Sequence, residues 1–418
     1  MRTILVGAEL KHRRPGAAAY SETSLDELWR LAETANLEPV LKLRVKLHEW
    51  NPATLVGSGK LQELKALVEE HKAGAVIFDD ELSPAQARNL ERELRVTIAD
   101  RARLIIEIFA LRARTREGKL QAQLARFSYA LGRIAGKGGS MDQQRGMIGG
   151  RGSGEKKIEY ERRTLRVKIT ELQEEIDSIR RERDTQRSKR DSVPMPQISI
   201  VGYTNAGKST LLNRLTGDRH AIYADDKLFA TLDPSTKRVR LPEGGVVLFT
   251  DTVGFIQKLP HDLIAAFRAT LEEIKYSDLI LHVHDLSSPD AKLQHEAVKA
   301  TLDELGVHDI PVINVFNKSD AVKDPSFSAW APEHLRPLFI SALTGKGVDK
   351  LLASCASALS RRWEDYELTV PQGGGLIKEI YDSCLVKEVT YTQEGAALKF
   401  RATPENYARL LKRLNAAS

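Results

Sequence analysis

A glycine-rich loop, G-Y-T-N-A-G-K-S-T from Gly202 to Thr210, constrains the fold of this chain most. It fits the pattern G-x-x-x-x-G-K-[ST] of phosphate-binding loops. An apolar run precedes it at 197–201 and a helical pattern follows at 211–215, which predicts a strand, a tight turn and a helix start. This arrangement directs backbone N–H groups at one point, where a phosphate is stabilised. The alternative is a glycine turn that merely begins an ordinary helix, and the motifs downstream disfavour it.

The loop supplies the first group of predicted site residues. Lys208 is expected to reach the outer phosphates and to act in catalysis, and the Ser209 hydroxyl to ligate Mg²⁺. The residues predicted to surround the phosphates are Gly202, Tyr203, Thr204, Asn205, Ala206, Gly207, Lys208 and Ser209.

A second motif, D-T-V-G, follows the apolar run 246–249. An aspartate at a strand end can hold Mg²⁺ through water, and the N–H of Gly254 can meet the γ-phosphate. The predicted nucleotide contacts are Asp251, Thr252, Val253 and Gly254. Phe255 comes next, where many small GTPases have a glutamine that orients the attacking water, so slow intrinsic hydrolysis is expected.

A third motif, N-K-S-D, follows the run 312–316 and predicts selectivity for guanine. The carboxylate of Asp320 can accept two hydrogen bonds from guanine, and adenine would leave that carboxylate without donors. The stem of Lys318 is expected to pack along the base, with a backbone loop closing over it. The predicted base contacts are Asn317, Lys318, Ser319, Asp320, Ser341, Ala342 and Leu343.

A segment between the first two motifs is predicted to sense the γ-phosphate. Thr231 is assigned as a catalytic residue and a second Mg²⁺ ligand, and Thr236 is the competing candidate. The predicted contacts here are Phe229, Ala230, Thr231, Leu232 and Asp233. The nucleotides implied are GTP as substrate and GDP as product.

Positive charge is concentrated in one part of the chain. The net charge is +6 over 418 residues, yet Leu111 to Arg190 alone contains 21 Lys and Arg against 11 Asp and Glu. Within it, 136–154 holds eight glycines in 19 residues together with Lys137, Arg145 and Arg151. We predict a flexible basic tip that contacts RNA. The alternative is a solvated face of a coiled coil.

A helical hairpin is expected to carry that tip. The pattern from Asp100 to Leu131 predicts one long helix, and Glu155 to Arg190 predicts a second. An apolar seam recurs every seven residues along the second helix, which favours antiparallel packing of the two. Its residues are Ile158, Leu165, Leu172 and Ile179, interleaved with Ile169 and Ile176.

The predicted fold class is α/β: a P-loop GTPase domain with a doubly wound, mostly parallel sheet, preceded by a small α/β domain and the long antiparallel hairpin, and followed by a small α+β domain. Ser24 is predicted to cap the first helix, and Trp363 to Pro371 to be a linker. The predicted domains are 1–105, 106–192, 197–365 and 371–418.

Four other features of the sequence bear on its function. Gly57 to Lys60 resembles half a phosphate loop but is better explained as a glycine-rich helix entry, with a nucleotide or RNA-phosphate site as the alternative. His282 and His284 alternate on a strand, and no third ligand is visible at a metal-binding spacing. No apolar run reaches the roughly 18 residues of a membrane helix. The two cysteines, Cys355 and Cys384, are expected to be free thiols.

The order GYTNAGKS, FATLD, DTVGF, NKSD and SAL resembles the HflX family of GTPases. Upstream segments support the resemblance, among them 57–60, 78–84, 121–125 and 149–155. One departure is Gly132-Arg133, where the family has Pro-Arg. The resemblance covers nearly the whole chain and is weakest after Pro371.

The resemblance implies an Mg²⁺-dependent GTPase that binds the large ribosomal subunit and its rRNA and can split or rescue ribosomes under stress. We expect a cytoplasmic monomer that spans no membrane and at most associates with one peripherally. Two other functions stay open: an RNA-binding ribosome assembly factor that nucleotide only stabilises, and ATP-dependent RNA remodelling by the N-terminal domain around Gly57 to Lys60.

Overall fold

The computed structural model describes residues 1–10, 22–135, 153–190, 195–217, 229, 234–242, 245–257, 272–322, 330–360, 363–371, 375–392 and 395–417. Among these residues, no helix combines the length and the apolar character needed to span a bilayer. The chain divides into two compact units. The first comprises Met1–Ile179, Lys227–Phe229 and Lys258–Phe267, and the second Arg180–Asp226, Ala230–Gln257 and Arg268–Ser418.

A four-stranded parallel sheet lies at the centre of the first unit. Its strands are β1 (Arg2–Leu10), β2 (Glu38–Leu47), β3 (Ala75–Phe78) and β4 (Thr97–Asp100). Their order is β2-β1-β3-β4. All four residues of β3 are buried, as expected for a parallel strand covered on both faces. The connecting helices are α1 (Glu22–Thr34), α2 (Ser58–Glu70) and α3 (Pro84–Leu94).

The start of α1 differs from the prediction. The helix begins at Glu22, so Ser24 lies inside its first turn and is not the N-cap. The hydroxyl of Ser24 instead donates to Asp79 Oδ2 at 2.8 Å. Ser24 therefore makes a tertiary contact in place of a helix cap, because a buried carboxylate needs hydrogen-bond donors.

The start of α2 matches the helix-entry interpretation. Gly57 is its N-cap, with extended backbone and no side-chain cap. Lys60 Nζ lies 2.6 Å from Glu63 Oε2, an exposed pair one turn along the same helix.

The single helix expected from Asp100 to Leu131 is two helices, α4 (Arg101–Arg112) and α5 (Arg116–Ala135). Asp100 caps α4 by accepting from the N–H of Arg103 at 2.9 Å. The hydroxyl of Thr115 accepts from the N–H of Gly118 at 3.0 Å in the first turn of α5. Each helix therefore has its own N-terminal cap, and Ala113 between them has extended backbone.

Helix α6 (Ser153–Arg190) runs antiparallel to α5. Arg116 of α5 pairs with Glu175, and Lys168 lies over the ring of Phe127 at 5.4 Å, so position falls along α6 as it rises along α5. Leu172 and Ile176 are the buried members of the predicted seam. This confirms Leu172 and Ile176 as packing residues, while the other members of the seam are half-buried.

The second unit contains a six-stranded sheet. Its strands are β5 (Gln197–Gly202), β6 (Ser235–Arg240), β7 (Val246–Asp251), β8 (Leu279–Asp285), β9 (Val312–Asn317) and β10 (Leu338–Phe339). Their order is β10-β9-β8-β5-β7-β6, and only β6 is antiparallel to its neighbour. The helices described here are α7 (Lys208–Thr216), α8 (Ala291–Glu304) and α9 (Val348–Ser360). This is the mostly parallel α/β sheet that the sequence predicted.

The end of the chain forms a three-stranded antiparallel sheet of order β11-β13-β12. Its elements are β11 (Glu364–Val370), α10 (Leu376–Ser383), β12 (Leu385–Thr392), β13 (Gly395–Ala402) and α11 (Pro404–Ala417). The segment from Trp363 to Pro371, predicted as a linker, therefore contains a strand that pairs with β13 over seven residues. Leu368 and Val370 of β11 face a small core of their own.

Candidate functional site: a phosphate loop joined to a base-binding edge

The phosphate loop joins β5 to α7 through a position that accepts only glycine. Gly207 has φ +90°, and a Cβ there would overlap Nδ2 of Asn317. Lys208 follows as the first residue of α7 and is buried, with Nζ donating to the carbonyl of Tyr203 at 2.9 Å. Burial lowers the pKa of Lys208 to about 8, opposed by the nearby Asp251. The ammonium is thus held inside the loop's own curve.

The two motif residues expected near Mg²⁺ are in direct contact. Ser209 Oγ donates to Asp251 Oδ2 at 2.6 Å. Asp251 ends β7, next to β5, and is fully buried. A hydroxyl and a carboxylate are oxygen ligands of the kind that Mg²⁺ prefers, so these residues fit the ion.

The segment after Asp251 is joined to the phosphate loop by backbone hydrogen bonds. The N–H of Thr204 donates to the carbonyl of Phe255 at 2.7 Å, and the N–H of Phe255 donates to the carbonyl of Gly202 at 3.1 Å. A Cβ at Gly254 would lie 2.9 Å from Thr204 Cα and 3.1 Å from Lys208 Nζ. Glycine is needed there because the two segments approach so closely. Phe255 itself is buried.

Asn317 connects the phosphate loop to the base-binding edge, the part of the sheet edge where the N-K-S-D motif and the S-A-L segment are predicted to bind the base. Its Nδ2 donates to the carbonyl of Ala206, and its Oδ1 accepts from the N–H of Ala342, both at 2.8 Å. The residue ends β9 and is 2% exposed. One side chain therefore ties together the loop, the N-K-S-D motif and the S-A-L segment.

Arg214 and Asp285 belong to the site although sequence reasoning missed both. Arg214, on α7, donates through Nε to the carbonyl of Ala342 at 3.1 Å and through Nη2 to the carbonyl of Leu343. Asp285, at the end of β8, accepts from Lys318 Nζ at 2.7 Å. Neither stands in a short motif; the position of Asp285 at the end of a buried strand was the available signal.

Polar atoms around the two ends of the site have the character of ligand contacts. Thr204 Oγ1 in the loop and Ser319 Oγ in the base motif are buried without a hydrogen-bond partner among the described residues. Asp320 is exposed at the strand end, and Leu343 is 68% exposed. Buried hydroxyls normally have partners, so a nucleotide that reaches both ends fits this arrangement.

The residues predicted to sense the γ-phosphate are described only in part. Ala230, Thr231, Leu232 and Asp233 lie outside the described residues, as do the hairpin-tip residues Lys137, Arg145 and Arg151. Phe229 belongs to the first unit, where it is buried against Phe109 of α4 with ring centroids 4.6 Å apart. The competitor Thr236 sits in β6, its hydroxyl 2.9 Å from that of Thr250, so it is held in the sheet.

The remaining predicted residues hold the loops in shape. Asn205 adopts φ +61°, and Thr252 Oγ1 donates to the carbonyl of Ile200 at 2.8 Å. Val253 is buried, and Ser341 Oγ accepts from the N–H of Thr344 at 3.1 Å. A glycine loop entering a helix, a strand-end aspartate beside its serine, and an asparagine-lysine motif at the same sheet edge together define a P-loop GTPase.

Known GTPase families match most of the chain. Residues 22–110 match the family described as GTP-binding GTPase N-terminal, 112–190 its Middle Region, and 197–318 the family described as 50S ribosome-binding GTPase. The chain is 43% identical to the GTPase HflX of Caldanaerobacter subterraneus over 401 residues, covering 93% of this chain and 90% of that one. With the GTPase HflX of Escherichia coli the identity is 38%, covering 93% and 92%.

The chain is also similar to a protein of solved structure. A GTP-binding protein from Sulfolobus solfataricus in complex with GDP is 24% identical, with a TM-score of 0.44 over 86% of this chain and 99% of that one.

The chain belongs to the HflX family of GTPases. As a member it binds guanine nucleotides and hydrolyses GTP.

Proposed function

We propose that this GTPase binds the large ribosomal subunit in a GTP-dependent manner and splits or rescues ribosomes under stress. The observation that supports nucleotide binding is the pair of hydrogen bonds made by Asn317. They hold the phosphate loop and the segment predicted to bind the base together at one site. The ribosomal half is supported by the match of residues 197–318 to the family described as 50S ribosome-binding GTPase.

The roles of the site residues follow from their positions. Ser209 and Thr231 would hold Mg²⁺, with Asp251 acting through water; the ion would neutralise charge on the β- and γ-phosphates. Lys208 would stabilise the charge that develops on those phosphates, and the N–H of Gly254 would position the γ-phosphate. Asp320 would select guanine.

The residue after Gly254 explains why a partner is needed. Phe255 is buried and its side chain offers no hydrogen-bond acceptor, so it cannot orient a water molecule. Intrinsic hydrolysis is therefore slow, and the ribosome accelerates it by supplying or positioning another group. The GTP-bound form would order the segment around Thr231 and the loop after Asp251.

The charge distribution favours the helical hairpin as a whole for RNA. Helix α5 (Arg116–Ala135) contains four Lys or Arg and one Glu, and helix α6 (Ser153–Arg190) contains twelve Lys or Arg and nine acidic residues, so each helix carries an excess of +3. We place the RNA contact on the hairpin and at its tip. The division of the chain that we propose is 1–105, 106–192, 197–365 and 371–418.

The decisive experiment measures GTP turnover with and without purified large ribosomal subunits. We expect turnover to rise with subunits and to vanish in Lys208→Ala, while Lys292→Ala, an exposed lysine on α8, behaves as wild type. Unchanged turnover with subunits present would overturn the ribosomal proposal but leave the GTPase intact.

A second arm tests the RNA contact of the hairpin. Lys119→Glu on α5 should weaken subunit binding and flatten its dependence on salt, because one phosphate contact is lost. The control is Lys65→Glu on α2, which is also exposed. Equal subunit affinity with GDP and with a non-hydrolysable GTP analogue would instead indicate an assembly factor that nucleotide only stabilises.

A further inference from the structure

Three histidines meet on the face of the second unit's sheet that α8 covers. His282 and His284 are two residues apart on β8, so their side chains leave the same face of the strand, and both are buried. His295 comes from α8. One nitrogen from each ring lies within 4.8 Å of the other two. The spacing of His295 from the strand pair follows no short metal-binding motif, so only the fold brings it near.

Burial disfavours the charged form of each of the three rings. Burial lowers the pKa of all three, that of His284 to about 4, so the imidazoles are neutral at neutral pH. Neutral imidazole carries a lone pair on one nitrogen. On His295, Glu296 favours a positive charge and Lys299 opposes it.

The hydrogen bonds of the cluster are incomplete. Asn314 Nδ2 donates to the carbonyl of Leu335, which turns its Oδ1 toward His284, 3.2 Å from Nε2. His284 Nε2 is therefore the donor nitrogen, and Nδ1 carries the lone pair. His295 Nδ1 is buried and has no partner among the described residues. Metal-binding histidines typically have one ring nitrogen held by a polar side chain, as Asn314 holds His284, and the other nitrogen left for the ion. The Nδ1 of His295, which has no partner among the described residues, fits the same pattern.

Aromatic side chains close the cluster from outside. The ring of His284 lies 4.6 Å from that of Phe316, and the ring of His295 lies 4.8 Å from that of Trp330. An apolar wall of this kind limits the access of water and strengthens coordination within it.

We propose that His282, His284 and His295 bind one divalent cation of the late first transition row, for which Zn²⁺ is the best match. Three neutral nitrogen ligands suit Zn²⁺, whereas Mg²⁺ prefers oxygen. Bonds of about 2.0–2.1 Å place ligand nitrogens about 3.3 Å apart in a tetrahedral site, so side-chain rotations must bring the rings closer. The fourth position stays open for water or an anion.

Binding is tested on untagged, full-length protein that has been stripped of metal and saturated with GDP and Mg²⁺. Zn²⁺ is titrated in competition with a chromophoric chelator, and Co²⁺ serves as an absorption probe of tetrahedral coordination. We expect one equivalent of Zn²⁺ with the wild type. His295→Gln, at a half-buried helix position, should lower the affinity by about tenfold or more and remove the Co²⁺ bands.

The matched control is His308→Gln, an exposed histidine of the same unit that pairs with Asp303, and it should bind Zn²⁺ as the wild type does. GDP affinity checks that each variant is folded. Imidazole ¹⁵N shifts in the wild type give a readout that needs no variant, since three histidines should move on addition of Zn²⁺. No stoichiometric binding, or binding that His295→Gln leaves unchanged, would show that the cluster is aromatic packing alone.

Discussion

A single buried amide holds the two halves of the nucleotide site in register. Asn317 uses both its donor and its acceptor, on Ala206 and Ala342, and no other common side chain of that size offers both in one plane. A buried group that loses its partner costs about 1–3 kcal/mol. The asparagine is therefore needed for the shape of the site, before any contact with a base.

Replacing that amide should loosen the site even when no nucleotide is bound. We expect Asn317→Ala to lower the free energy of unfolding by about 2–4 kcal/mol, because the Ala206 carbonyl and the Ala342 N–H are left buried. Urea unfolding and GDP affinity are the measurements. Asn89→Ala, which removes one exposed hydrogen bond in the first unit, should change both little. An unfolding free energy equal to that of the wild type would contradict the bridging role.

Base selection is tested at Asp320. Asp320→Asn should weaken GTP binding by about tenfold to a hundredfold, the equivalent of a charged hydrogen bond of about 1.5–3 kcal/mol. Binding of xanthosine triphosphate should improve, since the new amide can donate to the oxygen at position 2 of xanthine. Competition binding with the two nucleotides measures this, with Asp349→Asn as the exposed control. Retained preference for guanine would move the role to another residue.

At the scale of elements, buried charge organises the first unit. Arg101 opens α4 and is 2% exposed, with contacts to Asp79 Oδ1 at 2.6 Å and to Glu27. It thereby links α1, the loop after β3 and α4. Removing one member of a buried ionic group is far more damaging than the group's net contribution, because the others stay buried without a counter-charge.

We therefore expect Arg101→Leu to destabilise the first unit by about 3–5 kcal/mol. Hydrogen exchange should rise across β1, β3 and α4, which mass spectrometry of the corresponding peptides would detect. Arg92→Leu, at a 74% exposed position of α3, is expected to stay within about 0.5 kcal/mol of the wild type. A loss below 1 kcal/mol for Arg101→Leu would mean that the carboxylates find other partners.

The elements that could be predicted are those whose signal is local. The phosphate loop, the motif strands and the seam of α6 each follow from residues adjacent in sequence, and the mostly parallel sheet followed from their alternation. The break between α4 and α5 was missed because Thr115, which caps the start of α5, was taken for an ordinary helix residue. Strand β11 was missed although Tyr366, Leu368 and Val370 alternate, since its partner β13 lies about thirty residues on.

Sites built from distant elements could be predicted only in part. The motif residues were identified, but Arg214 and Asp285 were not, because their partners Ala342 and Lys318 are chosen by the fold. His295 was overlooked for the same reason. The roles of the site residues and the four domain boundaries stay predictions, and the segment around Thr231 lies outside the described residues.

On the scale of the whole molecule, the two cysteines lie in different cores of the second unit. Cys355 is in the core under the six-stranded sheet, and Cys384 is in the core of the C-terminal sheet. Burial raises the pKa of Cys355 to about 12 and that of Cys384 to about 11. Both thiols therefore stay protonated and unreactive until the chain opens around them.

This makes alkylation a test of the proposed division at 197–365 and 371–418. Native protein at pH 8 should resist iodoacetamide at both positions. GDP at about 100 times its dissociation constant stabilises the part that binds it by about 2.7 kcal/mol, which should slow labelling of Cys355 about a hundredfold. Labelling of Cys384, followed by mass spectrometry, should slow much less. Equal slowing of both would show that the two parts open together.

Helix α7 has a consequence for how the nucleotide departs. It begins at Lys208, which is predicted to bind the outer phosphates, and about two turns later Arg214 donates to the carbonyls of Ala342 and Leu343 in the segment predicted to close over the base. Because α7 is a single helix that carries both Lys208 and Arg214, a movement of this helix should disturb both ends of the site together. We therefore expect the phosphates and the base of GDP to dissociate in one step. A factor that displaces either end of α7 would release the whole nucleotide.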